Sequence, residues 1–250
     1  MFGQIAKIGR TLKFVGVAKH LQNVEGPVNC ELVHFVDHFT DDTLSTDKWT
    51  ASTNGTSAAI AIVHTTYPHC CRILTGTADG NAEFLASGIC WEDDQYAVCE
   101  ARILLADVTG TCLFFGLSDA VNETSPDMPI DYDGGTLAAG ADNAVGIVVD
   151  ADDTVNGASS IVAVGVNNTA LETAIDSGTD WEDDEWHRLR VELNPDGDAD
   201  FYLDGVVFGH METAIVSGTK LCIIVALANR ETAQNYGYVD YVKGWQKESA

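Results

Sequence analysis

Residues 187–208 alternate in the way a run of antiparallel strands does, and they constrain the fold more than any other part of the chain. Leu189, Val191 and Leu193 recur at every second position, which places them on one face of a strand. Residues 194–198 then read as a turn, because Pro presets φ and Gly supplies a positive φ. Asp204-Gly205 makes a second tight turn. The stretch therefore predicts three strands joined as a meander.

The same β pattern continues through the chain after residue 26. Short runs of β-branched, aromatic or alternating residues are separated by Gly, Asn, Asp and Ser clusters, and no long stretch has helical periodicity. With 250 residues, 46% of them hydrophobic, the chain can bury one large core. So many short strands favour an all-β fold of two stacked antiparallel sheets. The predicted strands lie near 31–37, 58–64, 71–76, 82–88, 96–105, 111–117, 144–150, 160–166, 187–194, 198–204, 221–228 and 237–245.

The first 26 residues differ from the rest and are predicted to be a short basic arm, with residues 27–250 forming the sandwich. Apolar residues recur in the arm at helical spacing, with basic residues largely elsewhere on the wheel. An amphipathic helix and an extended terminus are both open readings, because three glycines weaken an isolated helix. In either form the arm offers a docking surface, formed by Ile5, Lys7, Ile8, Arg10, Leu12, Lys13 and Val15.

The net charge of −25 limits the partners that the chain can have. An acidic surface repels nucleic-acid phosphates and anionic membranes, so neither partner is expected. The longest apolar run, residues 221–228, is far shorter than the roughly 20 residues of a membrane helix. The seven cysteines are odd in number and several lie in apolar strands, which indicates core residues in a reducing compartment rather than disulfides.

A long acidic segment, residues 118–143, interrupts the strand pattern and is predicted to be a loop. Its Asp127, Asp131 and Asp133 supply clustered oxygen ligands of the kind that calcium prefers. The cluster does not complete an EF-hand, because Thr136 stands where that loop needs Gly. Calcium at these three residues is one alternative; otherwise no cofactor is expected.

Several motifs resemble those of laminin-G-like and concanavalin A-like domains. The resemblance rests on Trp186-His187-Arg188-Leu189-Arg190-Val191 followed by Asp204-Gly205, and on a final strand at residues 239–246. Asp37-His38-Phe39 with the later Trp49 is similar to the opening strand and turn. This resemblance spans roughly residues 35–247 and implies a concanavalin A-like jelly roll, the fold of many lectins and glucanases.

The particular mix of strands is most similar to jelly-roll proteins encoded among the structural genes of tailed bacteriophages. The segments that carry this likeness are Glu100-Ala101-Arg102-Ile103, 115–119, 145–148 and 225–230. The resemblance implies a structural virion protein on the outer capsid surface, either a capsid decoration (cement) protein or a head fibre. The arm would then dock on the major capsid protein, and homo-oligomers such as trimers would gain from multivalency.

Two carbohydrate-related functions are the alternatives. Glucanases of this fold carry Glu-x-Asp-x-x-Glu on one strand, whereas the nearest match here, residues 182–187, ends in His at a strand entrance, and Glu100 is alone on its strand. We therefore expect no enzymatic activity. A lectin-like module would bind glycan through exposed aromatics, for which Trp91, Trp181, Tyr132 and Tyr236 are candidates. The competing reading places each Trp in the core or at a sheet edge.

Overall fold

The computed structural model describes residues 32–121 and 127–247, which are β throughout apart from two single-turn 3₁₀ segments. No helix in this part of the chain has the length and apolarity to cross a membrane. The strands are β1 (Leu32–Asp37), β2 (Thr50–Thr53), β3 (Ala59–Val63), β4 (Cys70–Leu74), β5 (Ala82–Ala86), β6 (Val98–Leu105), β7 (Thr111–Ser118), β8 (Ile130–Asp133), β9 (Thr136–Ala139), β10 (Ala144–Asp150), β11 (Ser160–Asn167), β12 (Ala170–Leu171), β13 (Ile175–Asp180), β14 (Trp186–Leu193), β15 (Ala199–Leu203), β16 (Val206–Met211), β17 (Cys222–Asn229) and β18 (Tyr236–Lys247).

Two large antiparallel sheets form a jelly-roll sandwich, which confirms the predicted fold class. Sheet A has the strand order β16-β15-β14-β6-β18-β4-β3, with β1 also paired to β18. Sheet B has the order β12-β11-β10-β7-β17-β5-β2, with β13 also paired to β11. The chain crosses between the sheets several times, for example from β5 to β6, from β6 to β7 and from β17 to β18, so strands distant in sequence become neighbours. The pairing of β6 with β18 is an example.

The predicted meander is confirmed as β14, β15 and β16. The turn between β14 and β15 includes Asp196 and Gly197, both with positive φ, and the turn before β16 uses Asp204 and Gly205 in the same region. Strands β2, β12 and β13 were not predicted, because they are short and carry few apolar residues. The sequence pattern is therefore informative where one face of a strand is buried.

The core lies between the inner faces of the two sheets. The alternating residues Leu189, Val191 and Leu193 point into it, together with Trp91 and Trp181. The cysteines are free in the described residues, and all of them except Cys90 are buried. The prediction that several cysteines are core residues is confirmed by the complete burial of Cys99, Cys112 and Cys222.

The outer face of sheet B is covered by the segment that was predicted to be an acidic loop. Strands β8 and β9 form a hairpin within it, and Met128, Ile130 and Tyr132 join the apolar cluster that includes Phe114 and Val148. A loop was expected because of the Asp, Gly and Pro content of the segment. The hairpin forms nonetheless, because its apolar residues cover an apolar sheet face. The outer face of sheet B is therefore sealed from solvent by this covering segment.

The outer face of sheet A is polar and has no comparable second layer within residues 32–121 and 127–247. A small apolar cluster of Cys70, Leu104 and Tyr238, with Tyr67 and Trp186 packed against it, occupies one end. Many of the remaining outward positions, above all on β6, β14 and β18, carry charged or aromatic side chains. We refer to this surface as the open face of sheet A.

Candidate functional site

Side chains alternate along β14 between the core and the open face of sheet A, and the outward ones supply polar and aromatic groups to that face. Since Leu189, Val191 and Leu193 point inward, the residues between them point outward: Trp186, Arg188, Arg190 and Glu192. The antiparallel register places Arg102 beside Arg188 and Glu100 beside Arg190, on neighbouring strand β6. Strand β18, on the other side of β6, adds Tyr238, Tyr241, Lys243 and Trp245 to the same face.

Aromatic side chains form a continuous cluster at one end of this face. The ring of Tyr67 lies edge-on to Trp186, with 5.6 Å between centroids, and to Tyr238, with 4.7 Å. Tyr238 in turn contacts Tyr236 at 5.5 Å, and Tyr236 is 37% exposed. The guanidinium of Arg102 sits 4.5 Å above the ring of Trp186. The cluster therefore offers ring faces and edges next to charge.

A hydrogen-bonded network lies beside the aromatic cluster. Tyr241 donates through its hydroxyl to Glu100 Oε1 at 2.9 Å, and Tyr202 donates to Glu192 Oε2 at 3.1 Å. Arg190 lies between the two carboxylates, with Nη1 4.0 Å from Glu100 Oε2 and Nε 3.3 Å from Glu192 Oε1. Its guanidinium also packs 4.1 Å from the Tyr202 ring centre. Five side chains from four strands thus hold one another in fixed positions.

Both tyrosines of this network remain protonated hydroxyl donors at neutral pH. Burial raises the pKa of Tyr241, and the neighbouring carboxylate of Glu100 raises it further. The pKa of Tyr202 is raised in the same way, by burial and then by Glu192. The two phenols keep each carboxylate oriented, so the polar groups of the face are preorganised.

Two buried donors on this face have neither a hydrogen-bond partner nor an ion-pair partner among the described residues. They are Arg72 Nε on β4 and Trp245 Nε1 on β18. Buried donors are normally satisfied by protein or by water, so unsatisfied ones call for an explanation. Their position beside an aromatic and charged surface is compatible with acceptors supplied by a ligand.

The structure separates the four aromatic residues that were predicted as glycan contacts. Trp91, Trp181 and Tyr132 are buried. The two tryptophans fill the core between the sheets, as the competing reading held, and Tyr132 covers sheet B. Of the four, Tyr236 is on the open face. The sequence reasoning missed Trp186, Tyr241 and Tyr202, although the outward positions of β14 were the available signal.

The three predicted calcium ligands do not share a site in the structure. Asp131 accepts a hydrogen bond from Arg230 Nη2 at 2.7 Å, and the same nitrogen lies 2.7 Å from Asp150. Asp127 accepts a bond from the backbone N–H of Met128, and Asp133 is exposed at the hairpin turn. Across the described residues, no three His, Cys, Asp or Glu side chains are placed to hold a metal ion. A calcium site at these residues stays a prediction.

The predicted capsid-docking arm lies outside the described residues, which begin at residue 32. Docking through Ile5, Lys7, Ile8, Arg10, Leu12, Lys13 and Val15 is therefore untested, and so is the boundary between arm and sandwich at residue 26.

Comparison with known proteins identifies the fold but not a family. No protein-family model and no curated protein matches the chain. Among solved structures, an endo-acting O-glycanase of the human gut microbiota aligns with a TM-score of 0.58 and 12% identity, covering 84% of this chain and 97% of that chain. A Bacillus licheniformis β-glucanase aligns at 0.57 and 14%, covering 87% and 98%. A Bacteroides ovatus family 16 glycoside hydrolase, in complex with a glucan product, aligns at 0.57 and 13%, covering 83% and 98%.

These matches confirm the concanavalin A-like fold and correct one expectation. We expected a protein without enzymatic activity, but the solved structures with this fold include several glycoside hydrolases. The expectation relied on finding all carboxylates along one strand. The structure brings Glu100 and Glu192 to the same face from two neighbouring strands, which a search within one strand does not detect. Nothing in the comparisons indicates a bacteriophage origin or a virion role.

Proposed function

We propose that this chain binds carbohydrate on the open face of sheet A. The observation that carries the proposal is the contrast between the two outer faces: sheet B is sealed by the β8–β9 hairpin, whereas sheet A presents aromatic rings next to fixed polar groups. Sugars are bound by rings that pack against their C–H faces and by polar groups that meet their hydroxyls. The fold shared with glycan-active enzymes supports this assignment.

Polysaccharide binding should be measured by affinity electrophoresis over a panel of soluble polysaccharides and by a glycan array. Removal of one ring, in Trp186→Ala or Tyr236→Ala, is expected to weaken binding about fivefold, because a stacked ring contributes on the order of 1 kcal/mol beyond its buried area. Val155→Ala is the matched control, since Val155 is 76% exposed and lies outside the open face. If no glycan binds, or if the ring variants bind as well as the control, the proposal is wrong.

Glycoside hydrolysis at Glu100 and Glu192 is a second candidate function. Glycosidases use two carboxyl groups flanking the bond that is cleaved. Glu100 and Glu192 lie on adjacent strands of the open face with Arg190 between them, and because the Glu192 side chain is only 1% exposed, Arg190 would have to move for a substrate to reach both. The measurement is release of reducing ends from the polysaccharides that bind. Glu100→Gln and Glu192→Gln should each abolish release, whereas Glu182→Gln, at an exposed turn residue, should not. Turnover that survives both substitutions would rule out this site.

A virion role through the arm remains a separate prediction that rests on the sequence. It is supported by the contrast between a basic, apolar-striped arm and an acidic body. Cosedimentation with capsids of the major head protein, using the full chain and a form lacking residues 1–25, tests it. Binding that is lost with the arm supports docking, and binding unchanged by the deletion contradicts it.

A further inference from the structure

Cationic side chains are concentrated on the open face of sheet A, although the chain as a whole has a net charge of −25. The described residues contain nine lysines and arginines, and six of them point outward from this face. These six are Arg72, Arg102, Arg188, Arg190, Lys243 and Lys247. The outward strand positions of the same face carry four carboxylates, on Glu100, Glu192, Asp200 and Asp240. The face is thus locally basic on an acidic molecule.

The six cations of the open face are paired differently from the other three lysines and arginines of the described residues. Away from the face, Lys48, Lys220 and Arg230 each have a carboxylate oxygen within 3.5 Å. On the face, Arg102 is paired with Asp240 at 3.0 Å, and Arg190 lies between its two glutamates. Arg72, Arg188, Lys243 and Lys247 have no carboxylate within ion-pair distance among residues 32–121 and 127–247. Lys243 instead lies 4.0 Å from the Tyr241 ring centre.

The spacing of the unpaired cations indicates what they can bind. Arg188 and Lys243 lie on strands separated by β6, and Arg72 lies one strand beyond β18. With neighbouring strands about 4.8 Å apart and about 3.3 Å per residue along a strand, the backbone positions of these three residues are separated by roughly 12 to 17 Å. A single small anion is too short to contact all three residues at once. A polymer with repeated negative groups can reach all three.

We propose that the ligand of the open face is an acidic polysaccharide, a sugar polymer that carries repeated carboxylate or sulfate groups. This inference rests on the proposed carbohydrate-binding function. Arg72, Arg188 and Lys243 pair with the anionic groups, and the rings of Trp186 and Tyr236 contact the sugar between them. The more exposed carboxylates of the face, Asp200 and Asp240, accept bonds from sugar hydroxyls.

The net negative charge of the protein does not prevent this binding at physiological ionic strength. The Debye length is then about 8 Å, so a bound anionic group interacts mainly with the charges of the open face. At low ionic strength the rest of the protein repels the polymer as well. Affinity for the acidic polymer is therefore expected to pass through a maximum as salt is increased.

Two pairs of polymers test the charge requirement. Polygalacturonate and its fully methyl-esterified form share a backbone and differ in carboxylate charge; dextran sulfate and dextran differ in sulfate. At 150 mM salt, the full chain should bind at least one charged polymer about tenfold more tightly than its neutral counterpart, and the pair that responds identifies the anion. Equal affinity within both pairs would overturn the proposal that the ligand is acidic, while the proposal that the protein binds carbohydrate would stand. Binding to no polysaccharide would overturn both.

Charge-neutralising variants locate the binding on this face. Arg188→Gln and Lys243→Gln should each weaken binding of the charged polymer about threefold and weaken binding of its neutral counterpart less. Lys220→Gln is the matched control, because it removes one exposed cation elsewhere. Circular dichroism verifies that each variant is folded. If Lys220→Gln has the same effect, or if single-stranded oligothymidylate binds more tightly than every polysaccharide, the proposal is wrong.

Discussion

Arg230 shows how one residue fixes the covering of sheet B. Its guanidinium contacts Asp150 and Asp131 at 2.7 Å each, and it donates to the backbone carbonyl of Tyr132 at 3.1 Å. It thus joins the end of β17 to both β10 and the β8–β9 hairpin. The Asp131 carboxylate, which the sequence offered as a calcium ligand, is occupied by a cation that the protein itself supplies.

Arg230→Met is expected to destabilise the protein by about 3 to 5 kcal/mol. The substitution keeps an unbranched apolar stem but leaves the fully buried Asp150 without its positive partner. Urea unfolding followed by tryptophan fluorescence measures the loss. Lys48→Met is the control, since it breaks a partly exposed ion pair and should cost less than about 1 kcal/mol. Similar losses in both variants would show that the Arg230 network is not specially important.

Glu83 is a buried carboxyl whose ionisation opposes folding. Burial raises its pKa to about 7, and hydrogen bonds from the backbone N–H groups of Gly76 and Asn54 only partly counteract this. A carboxyl with a raised pKa in the folded state contributes stability below its unfolded pKa, and that contribution is lost as pH rises through the folded value.

Glu83→Gln should therefore stabilise the protein relative to wild type as pH rises from about 4.5 to 8. The expected gain is on the order of 3 kcal/mol, because the folded pKa differs from the unfolded one by more than two units. Urea unfolding of both proteins at pH 4.5, 6 and 8 measures it. A stability difference that stays constant across these pH values would contradict the raised pKa.

At the level of elements, strands with one apolar face were predictable and the covering hairpin was not. Strand β10 was predicted with its observed limits, residues 144–150, because it is a continuous apolar run. Strands β8 and β9 were missed because Asp, Gly and Pro dominate the sequence around them. Their pairing depends on the outer face of sheet B, a surface that exists only after distant strands assemble.

The candidate site could not be predicted from the sequence for the same reason. Trp186, Arg188 and Arg190 could have been recognised as outward residues of β14, opposite the apolar face. Their neighbours on β6 and β18 depend on pairings across more than 80 residues of sequence, such as Arg190 with Glu100 and Lys243 with Glu100. Local alternation predicts which face a residue takes, whereas strand order decides which residues it meets.

The contribution of the β8–β9 hairpin can be measured through Ile130, which is fully buried against sheet B. Ile130→Ala is expected to lower the free energy of unfolding by about 3 kcal/mol, because it leaves a cavity under the hairpin. Val155→Ala, at an exposed site, should change it by less than about 0.5 kcal/mol. Urea unfolding distinguishes the two, and a negligible effect at Ile130 would mean that the hairpin does not cover the sheet firmly.

On the scale of the whole molecule, the excess of carboxylates should make stability depend on salt. The net charge of −25 produces repulsion over the whole surface, and salt reduces its range from about 30 Å at 0.01 M to 3 Å at 1 M. The melting temperature should rise by about 3 to 8 °C between 10 mM and 500 mM NaCl. A melting temperature that stays constant or falls as NaCl is added would show that nearby cations already offset the charge of the acidic groups.

The sealing of sheet B also determines how many ligand chains one molecule can hold. If the open face of sheet A binds the polymer and is the one binding surface within residues 32–121 and 127–247, each copy is monovalent, and isolated copies would coat a long polymer without linking one polymer to another. Agglutination of cells or precipitation of polysaccharide would therefore need copies joined to each other. Cross-linking of this kind would indicate self-association of the protein and not a second ligand-binding surface.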